Sequence, residues 1–262
     1  MIYYTYPGFR NKALTISYDD GLWSDVHLLE IINCYGIRGT FNLNSGCMAE
    51  ERRIGKENLS ALYKGHEIAT HGVKHLTLAR CPMTGVVKEI LEDRQALEEL
   101  TGEIICGHAY PNGSYSPEIK TLLPSLGIHY ARTATDTGLY THPQDFYEWN
   151  PTCHHNNRLI EHAKEFLSFD LPQFQYLFYV WGHSYEFDRD KNWDVIEEFC
   201  KITGGRKDIW YATNAEVCHY VMAVKQVHTS VDEKLLFNGS GQDIYLIRNG
   251  ENICLHPGEL FY

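Results

Sequence analysis

The sequence predicts an α/β fold built on a parallel sheet that closes, or nearly closes, into a barrel. Three observations predict it. Apolar β-rich runs alternate with helical patterns about seven times before residue 225, the signature of strands joined by crossover helices. The length, 262 residues, suits one large domain of this kind. An apolar fraction of 44% supplies a sizeable core, and a charged fraction of 22% is ordinary for a globular chain.

The elements follow in order. Ala13–Tyr18 is expected as a buried strand, and Ser24 as the cap of an amphipathic helix running to Ile32 and ended by Gly36. Gly39–Leu43 is the next strand, Lys56–Lys64 a helix stopped at Gly65, and Glu67–Thr70 a short strand. Thr84–Leu100 is the clearest helix, with Val87, Ile90, Leu91, Leu97 and Leu100 on one face and Gly102 behind it. Further strands are expected at 104–110, 129–133, 176–181 and 209–212, and further helices at 117–126, 159–168, 193–202 and 215–224. The last segment, 225–262, changes character. Short strand-like runs at 234–237, 243–248 and 252–255 are separated by Asn238-Gly239, Ser240-Gly241 and Asn249-Gly250, the last a hairpin signal. The expected organisation is a barrel over 1–224 and a small β appendage over 225–262, whose strand edges are a candidate homo-oligomer surface.

Composition excludes some functions. The formal net charge is −11 and no Lys/Arg run occurs, which disfavours nucleic acid as a partner. No run of eighteen apolar residues is present, so no membrane span is expected. The N-terminus lacks a basic stretch followed by an apolar one, and the expected address is the cytoplasm. The eight cysteines are widely spaced without a C-x-x-C, which favours scattered thiols over a disulfide framework. Cys34, Cys106, Cys200 and Cys218 lie in apolar stretches where buried thiols are common.

Four constellations carry candidate chemistry, and each also has an ordinary explanation. Asp19-Asp20-Gly21 ends the first strand; adjacent carboxylates there are costly unless a cation offsets them, although Asp-Gly also makes simple turns. His71 and His75, after the third strand, have a spacing that sets two imidazoles on one side of a helical turn, although fourteen histidines also produce chance pairs. Taken together, Asp20, His71 and His75 offer one oxygen and two nitrogens, the donor set of a catalytic zinc-like site. Tyr110-Pro111-Asn112-Gly113 is a tight loop able to aim a backbone N–H at an oxyanion, or an ordinary βα turn. His183, leaving a late strand beside Trp181, is a candidate general acid or a plain loop histidine. Adjacent His154 and His155 diverge in direction, which favours loop residues over a second metal site.

The order Tyr-Asp-Asp-Gly, His-x-x-x-His, Tyr-Pro-x-Gly and a late strand ending in His resembles the polysaccharide deacetylase (carbohydrate esterase) family over roughly residues 10–222. The resemblance implies a distorted (β/α)7 barrel and one divalent metal ion, usually Zn2+, with Co2+ or Ni2+ as alternatives. It implies Asp19 as general base, Asp20, His71 and His75 as metal ligands, the Asn112 N–H in an oxyanion hole and His183 as general acid. Many members carry Arg where this chain has Ala109, and Arg132 at the next strand end is a candidate replacement. The family's Asp–Trp motif is not plain here; Asp136, Asp145 and Trp149 are candidates, with Asp136 or Asp145 as a partner for His183. Tyr110, Trp149, Trp181 and Tyr185 flank the motifs and are candidates to stack on a pyranose ring. The expected activity is hydrolysis of N-acetyl or O-acetyl groups on an oligo- or polysaccharide, releasing acetate. The alternatives are an amidohydrolase for a small non-sugar amide or cyclic ureide, and an inactive sugar-binding homologue.

Overall fold

The computed structural model describes the backbone of residues 1–262 and every side chain except that of Asn58. The chain runs β1 (Ile2–Thr5), β2 (Lys12–Asp19), α1 (Ser24–Cys34), β3 (Gly39–Leu43), α2 (Leu59–Leu62), β4 (Glu67–Thr70), α3 (Met83–Thr101), β5 (Gly107–Ala109), α4 (Pro117–Leu122) and β6 (Tyr130–Arg132). It continues through β7 (Cys153–His154), α5 (Leu159–Ser168), β8 (Tyr176–Gly182), α6 (Tyr185–Asp190), α7 (Trp193–Thr203), β9 (Ile209–Tyr211) and α8 (Asn214–Val224). The last strands are β10 (Val227–Thr229), β11 (Leu236–Asn238), β12 (Ile244–Arg248), β13 (Glu251–Leu255) and β14 (Leu260–Phe261).

The main sheet is parallel, ordered β6-β5-β4-β3-β2-β8-β7. Its two ends meet through the segment before β7: Trp149 bridges Arg132 of β6, while Cys153 and His154 pair with Val180 and Trp181 of β8. The distortion is centred on β2. That strand pairs with β8 along Lys12–Tyr18, with β9 along Lys12–Leu14 and with β3 only from Ile16 onward. Seven strands therefore circle the barrel and β9 is wedged beside the first half of β2, as a distorted (β/α)7 barrel requires.

Every residue of β2 is buried, so both faces of the strand are covered. Side chains alternate along a strand, which splits β2 into two sets. Leu14, Ile16 and Tyr18 join Leu28, Ile32, Phe166, Phe178 and Phe199 in the layer between sheet and helices. Thr15, Ser17 and Asp19 face inward. The barrel interior is polar and hydrogen-bonded: Thr15 donates to Asn214 (2.8 Å), Asn42 to Ser17 (2.8 Å), and Thr40 and Tyr130 to Glu67 (2.7 and 2.8 Å). These hydrogen bonds offset the cost of burying the groups that make them.

Several local expectations change. Ser24 does not cap α1; Trp23 occupies the cap position and the Ser24 hydroxyl bonds Asp188 instead. Cys34 is exposed rather than buried, and all eight cysteines are free. The appendage is two small antiparallel sheets. One, β1-β12-β13, recruits the N-terminal strand, so residues 2–5 pair with the segment assigned to 225–262. Its hairpin turns at Asn249-Gly250, both with positive φ (53° and 89°). No helix among the described residues is long and apolar enough to cross a membrane.

Leu246, Ile244 and Leu255 of the appendage sheet share one core with Val217, Tyr220, Tyr6 and Trp149 of the barrel. Shared burial couples the two parts thermodynamically. Leu246→Ala is expected to cost ~2–5 kcal/mol and to lower one cooperative melting transition, not a separate minor one; calorimetry checks this.

Candidate active site at the carboxyl mouth of the barrel

Strand parity delivers the site. The inward set on β2 ends in Asp19. On β4 it starts at Glu67 and the next inward position past the strand end is His71; on β6 it comprises Tyr130 and Arg132; on β8 it runs through Tyr179 and Trp181 to His183. Four strands thus aim Asp19, His71, Arg132 and His183 at one mouth.

Asp19 sits at the centre, 3% exposed. Its Oδ1 accepts from Asn42 Nδ2 at 2.8 Å, and its Oδ2 accepts a short bond from the buried Arg132 guanidinium. His71 Nε2 and His183 Nε2 lie 3.8 and 3.9 Å from the same Oδ2. Burial pushes this carboxyl up, but Arg132, His71 and His183 more than reverse the effect and hold it at about 2. His71 is itself pushed down by burial, so Arg132 is the permanent charge that keeps Asp19 ionised. Trp181 covers Arg132, with the guanidinium 4.6 Å from its ring centroid, and donates Nε1–H to Asp136 at 2.8 Å. The guanidinium on Asp19 is thus that of Arg132, while Ala109 offers its carbonyl to His71.

Asp20, His71 and His75 come together beside Asp19, their ligand atoms within 4.8 Å of one another. His71 Nδ1 lies 2.8 Å from the Ala109 carbonyl, which can only accept, so Nδ1 carries the proton and Nε2 presents a lone pair. That Nε2 is buried with no hydrogen-bond partner among the described residues. An orphaned imidazole nitrogen facing a carboxylate oxygen and a second imidazole fits a divalent ion of zinc type.

The backbone that presents these groups is not the expected helical turn. Residues 71–77 form an irregular loop in which Gly72 and His75 take positive φ (75° and 56°), and Asp20 does the same (81°). Buried polar groups hold this conformation. Asn44 donates to the carbonyls of His71 (2.6 Å) and Gly72 (2.8 Å). Asp93 of α3 accepts from the N–H of Ser45 (2.7 Å) and His71 (3.0 Å), and Glu89, one turn earlier, accepts from Lys74 N–H (2.9 Å). Asp93 and Glu89 are supporting residues that the sequence reading missed, since acidic residues on an amphipathic helix ordinarily face solvent. The signal for them is their i, i+4 spacing among apolar positions.

His183 Nδ1 lies 3.5 Å from Glu186 Oε2, not from Asp136 or Asp145. Asp136 is taken by Trp181 and Asn157, and Asp145 pairs with Lys120 at 2.9 Å. Burial pushes His183 down, and the carboxylates of Glu186, Asp19 and Asp20 more than reverse this, so its imidazolium is favoured. Asn112 has φ 57° between Pro111 and Gly113; the loop closes through the N–H groups of Gly113 and Ser114, leaving the Asn112 N–H without a partner among the described residues. Tyr110 and Trp149 correct the expectation of sugar stacking. Each is 1% exposed; Tyr110 packs on Tyr115 and donates to the Tyr147 carbonyl, and Trp149 is wedged among Tyr130, Phe146 and Tyr179. Next to the mouth lies instead a groove of about 870 Å³ lined by Trp23, His27, Tyr185 and Trp193, beginning at Leu22, two residues past Asp20. Trp23 is 63% exposed.

Residues 7–131 match the family model described as polysaccharide deacetylase. A probable peptidoglycan-N-acetylglucosamine deacetylase of Arthroderma benhamiae is 25% identical over 136 residues, covering 50% of this chain and 30% of that one. A chitin deacetylase of Pestalotiopsis sp is 24% identical over 146 residues, 51% of this chain and 45% of that one. The matched stretch thus spans less than half the length of either curated relative. Among solved structures, a Mycobacterium smegmatis candidate polysaccharide deacetylase superposes with TM-score 0.64 at 19% identity, covering 84% of this chain and 93% of that one. The family 4 carbohydrate esterase of Streptomyces lividans gives 0.54 at 13% (78% and 93% covered), and PuuE allantoinase 0.60 at 17% (81% and 91%).

Asp25, below the mouth, accepts from Tyr63 (2.6 Å) and from Ser184, the neighbour of His183. Burial raises its carboxyl to about 7, with Asp20 and Asp19 adding to the effect and the two hydrogen bonds opposing it. The folded chain therefore holds this proton more tightly than the unfolded one, and stability falls as pH rises from about 4 through 7. Asp25→Asn is expected to flatten that loss, narrowing the drop in melting temperature between pH 5 and pH 8.5; an unchanged drop counts against this assignment. Motif order, the matched segment and the barrel agree: over residues 7–131, just under half of its length, the chain is similar to the polysaccharide deacetylase family, and its fold is that of the barrel.

Proposed function

We propose that this chain is a metal-dependent hydrolase that removes acetyl groups, N-linked in the first instance, from a carbohydrate and releases acetate. The observation that carries the reading is Asp19, a buried carboxylate kept ionised by Arg132 beside the Asp20/His71/His75 trio. The names of the relatives, peptidoglycan and chitin deacetylases, support an acetylated polysaccharide as the substrate class. The aromatic groove beside the mouth supports it too, since Trp and Tyr faces stack on sugar rings.

Asp20, His71 and His75 would hold the ion, most readily Zn2+, with Co2+ or Ni2+ accepted by the same donors. When bound, the ion supplies Lewis-acid polarisation of the acetyl carbonyl. Asp19 acts as general base, taking a proton from the attacking water. Arg132 and Asn42 hold its two oxygens, so the carboxylate meets substrate already oriented. The free Asn112 N–H is placed in a loop able to donate to the developing oxyanion. His183, favoured as imidazolium, gives its Nε2 proton to the departing amine, and Glu186 on its other side stabilises the charged form. Hydrolysis consumes one water and yields acetate and the free amine.

A second reading, hydrolysis of a small non-sugar amide or cyclic ureide, is favoured by one observation: Tyr110 and Trp149 are buried and the Trp181 ring is covered by Arg132, which leaves few free aromatic faces at the mouth itself. A panel of chitooligosaccharides against small amides separates the two.

Asp19→Asn is expected to keep the ion and to lose ~10²–10⁴-fold in turnover. His71→Ala/His75→Ala is expected to lose the ion at that site and all activity, and chelation of the wild type to abolish activity that zinc restores. Metal analysis alongside acetate release reads all three. Full turnover in the chelated protein overturns the metal-dependent reading.

A further inference from the structure

We propose that His154, His155 and Glu186 form a second divalent-cation site, distinct from the Asp20/His71/His75 trio. His154 ends β7, His155 follows it, and Glu186 lies in the first turn of α6. The Glu186 Oε2 atom is 3.0 Å from His154 Nε2 and 3.3 Å from His155 Nε2, and one ligand atom from each residue falls within 4.8 Å of the others. Ligand atoms about 2.0 Å from a tetrahedral ion stand about 3.3 Å apart, so these separations already suit one.

The second observation is His155 itself. Its side chain is fully buried, and neither ring nitrogen has a hydrogen-bond partner among the described residues; Glu186 approaches Nε2 without the alignment of a hydrogen bond. Burying an imidazole with both nitrogens unsatisfied is costly, because the hydrogen bonds it made to water go unreplaced. The ring cannot turn away to find partners. It is stacked on Phe187 (4.2 Å between centroids, 25° between planes) and on Tyr18 (5.7 Å, 16°). On the β8 side, Gly182 leaves the room it needs: a Cβ there would stand 2.1 Å from His155 Nδ1. Sequence, stacking and a glycine together fix an orphaned donor atom toward a carboxylate and a second imidazole. Adjacent histidines do diverge in general, yet here both Nε2 atoms converge on one oxygen, because Glu186 reaches up between them from α6.

Two imidazoles and one carboxylate select a borderline ion such as Zn2+, Co2+ or Ni2+ over Mg2+ or Ca2+. The two clusters are separated by His183, whose Nε2 faces Asp19 at 3.9 Å and whose Nδ1 faces Glu186 at 3.5 Å. An ion on Glu186 would therefore immobilise the carboxylate against which the His183 ring rests.

The test is cobalt uptake by the metal-free full chain, read by metal analysis and by the visible absorption of the bound ion. Wild type is expected to take up two Co2+ per chain with two resolvable spectra. His71→Ala/His75→Ala should retain one, and adding His154→Ala or His155→Phe should remove it. Phe in the aromatic stack preserves packing, and His154 is partly exposed, so both variants can be verified as folded by circular dichroism; if the His71→Ala/His75→Ala background is unfolded, Asp20→Asn replaces it. One ion in the wild type and none in the His71→Ala/His75→Ala variant overturns the second site while leaving the first intact. Retention of the second ion after both His154 and His155 substitutions overturns it equally.

Discussion

The buried pair of Arg132 and Asp19 is the interaction on which the site depends. A carboxylate 3% exposed at the end of a strand would take up a proton if it stood alone. The guanidinium from β6 reverses that preference. The arginine then needs its own support, which Trp181 provides across its face and Thr133 through its carbonyl. Removing either partner of such a pair leaves an uncompensated buried charge, a loss of ~3–5 kcal/mol. The barrel therefore closes around a charge pair, and its closure at Trp149, which bridges Arg132, fixes where that pair lies.

Asp20, His71, His75 and His183 are arranged around this pair by different means. His71 is positioned by parity and by the Ala109 carbonyl, whereas Asp20 and His75 owe their directions to positive φ. Such backbone persists only where the surroundings enforce it. Asn44, Glu89 and Asp93 do so here, and burial raises Asp93 to about 7 in the process. Here the fixed cation beside Asp19 comes from β6, as Arg132, while position 109 is an alanine.

Much of the fold was legible because its elements obey simple periodicities. β3, β4 and α5 fall where alternation and helical spacing put them, and Asn249-Gly250 turns as its φ demands predict. β1 and β7 escaped notice. β1 is recruited by β12 from the far end of the chain, and β7 is two residues long, so neither has a local pattern to show. Clustering of Asp20, His71 and His75 was legible from motif order, but the helical turn assigned to His71–His75 was not the means. Tyr110 and Trp149 were misjudged because proximity in sequence to a motif says nothing about which side of a strand an aromatic ring occupies. Arg132 was nominated from its place at a strand end; its inward direction follows from the parity it shares with Tyr130. Glu186 was invisible as the partner of His183, because a carboxylate three residues on in a helical turn looks like any solvent-facing charge.

The most direct test of this account is the turnover number of the metal-loaded Arg132→Met variant against wild type, measured as acetate released from an N-acetylated chitooligosaccharide, with metal content determined on the same samples. The account predicts a fall of ~10²-fold or more in kcat with the ion at the Asp20/His71/His75 site retained, and partial recovery in Arg132→Lys, because the lost group orients and ionises the base without binding the metal. A kcat within twofold of wild type in the methionine variant would contradict the claim that the Arg132–Asp19 pair organises the site.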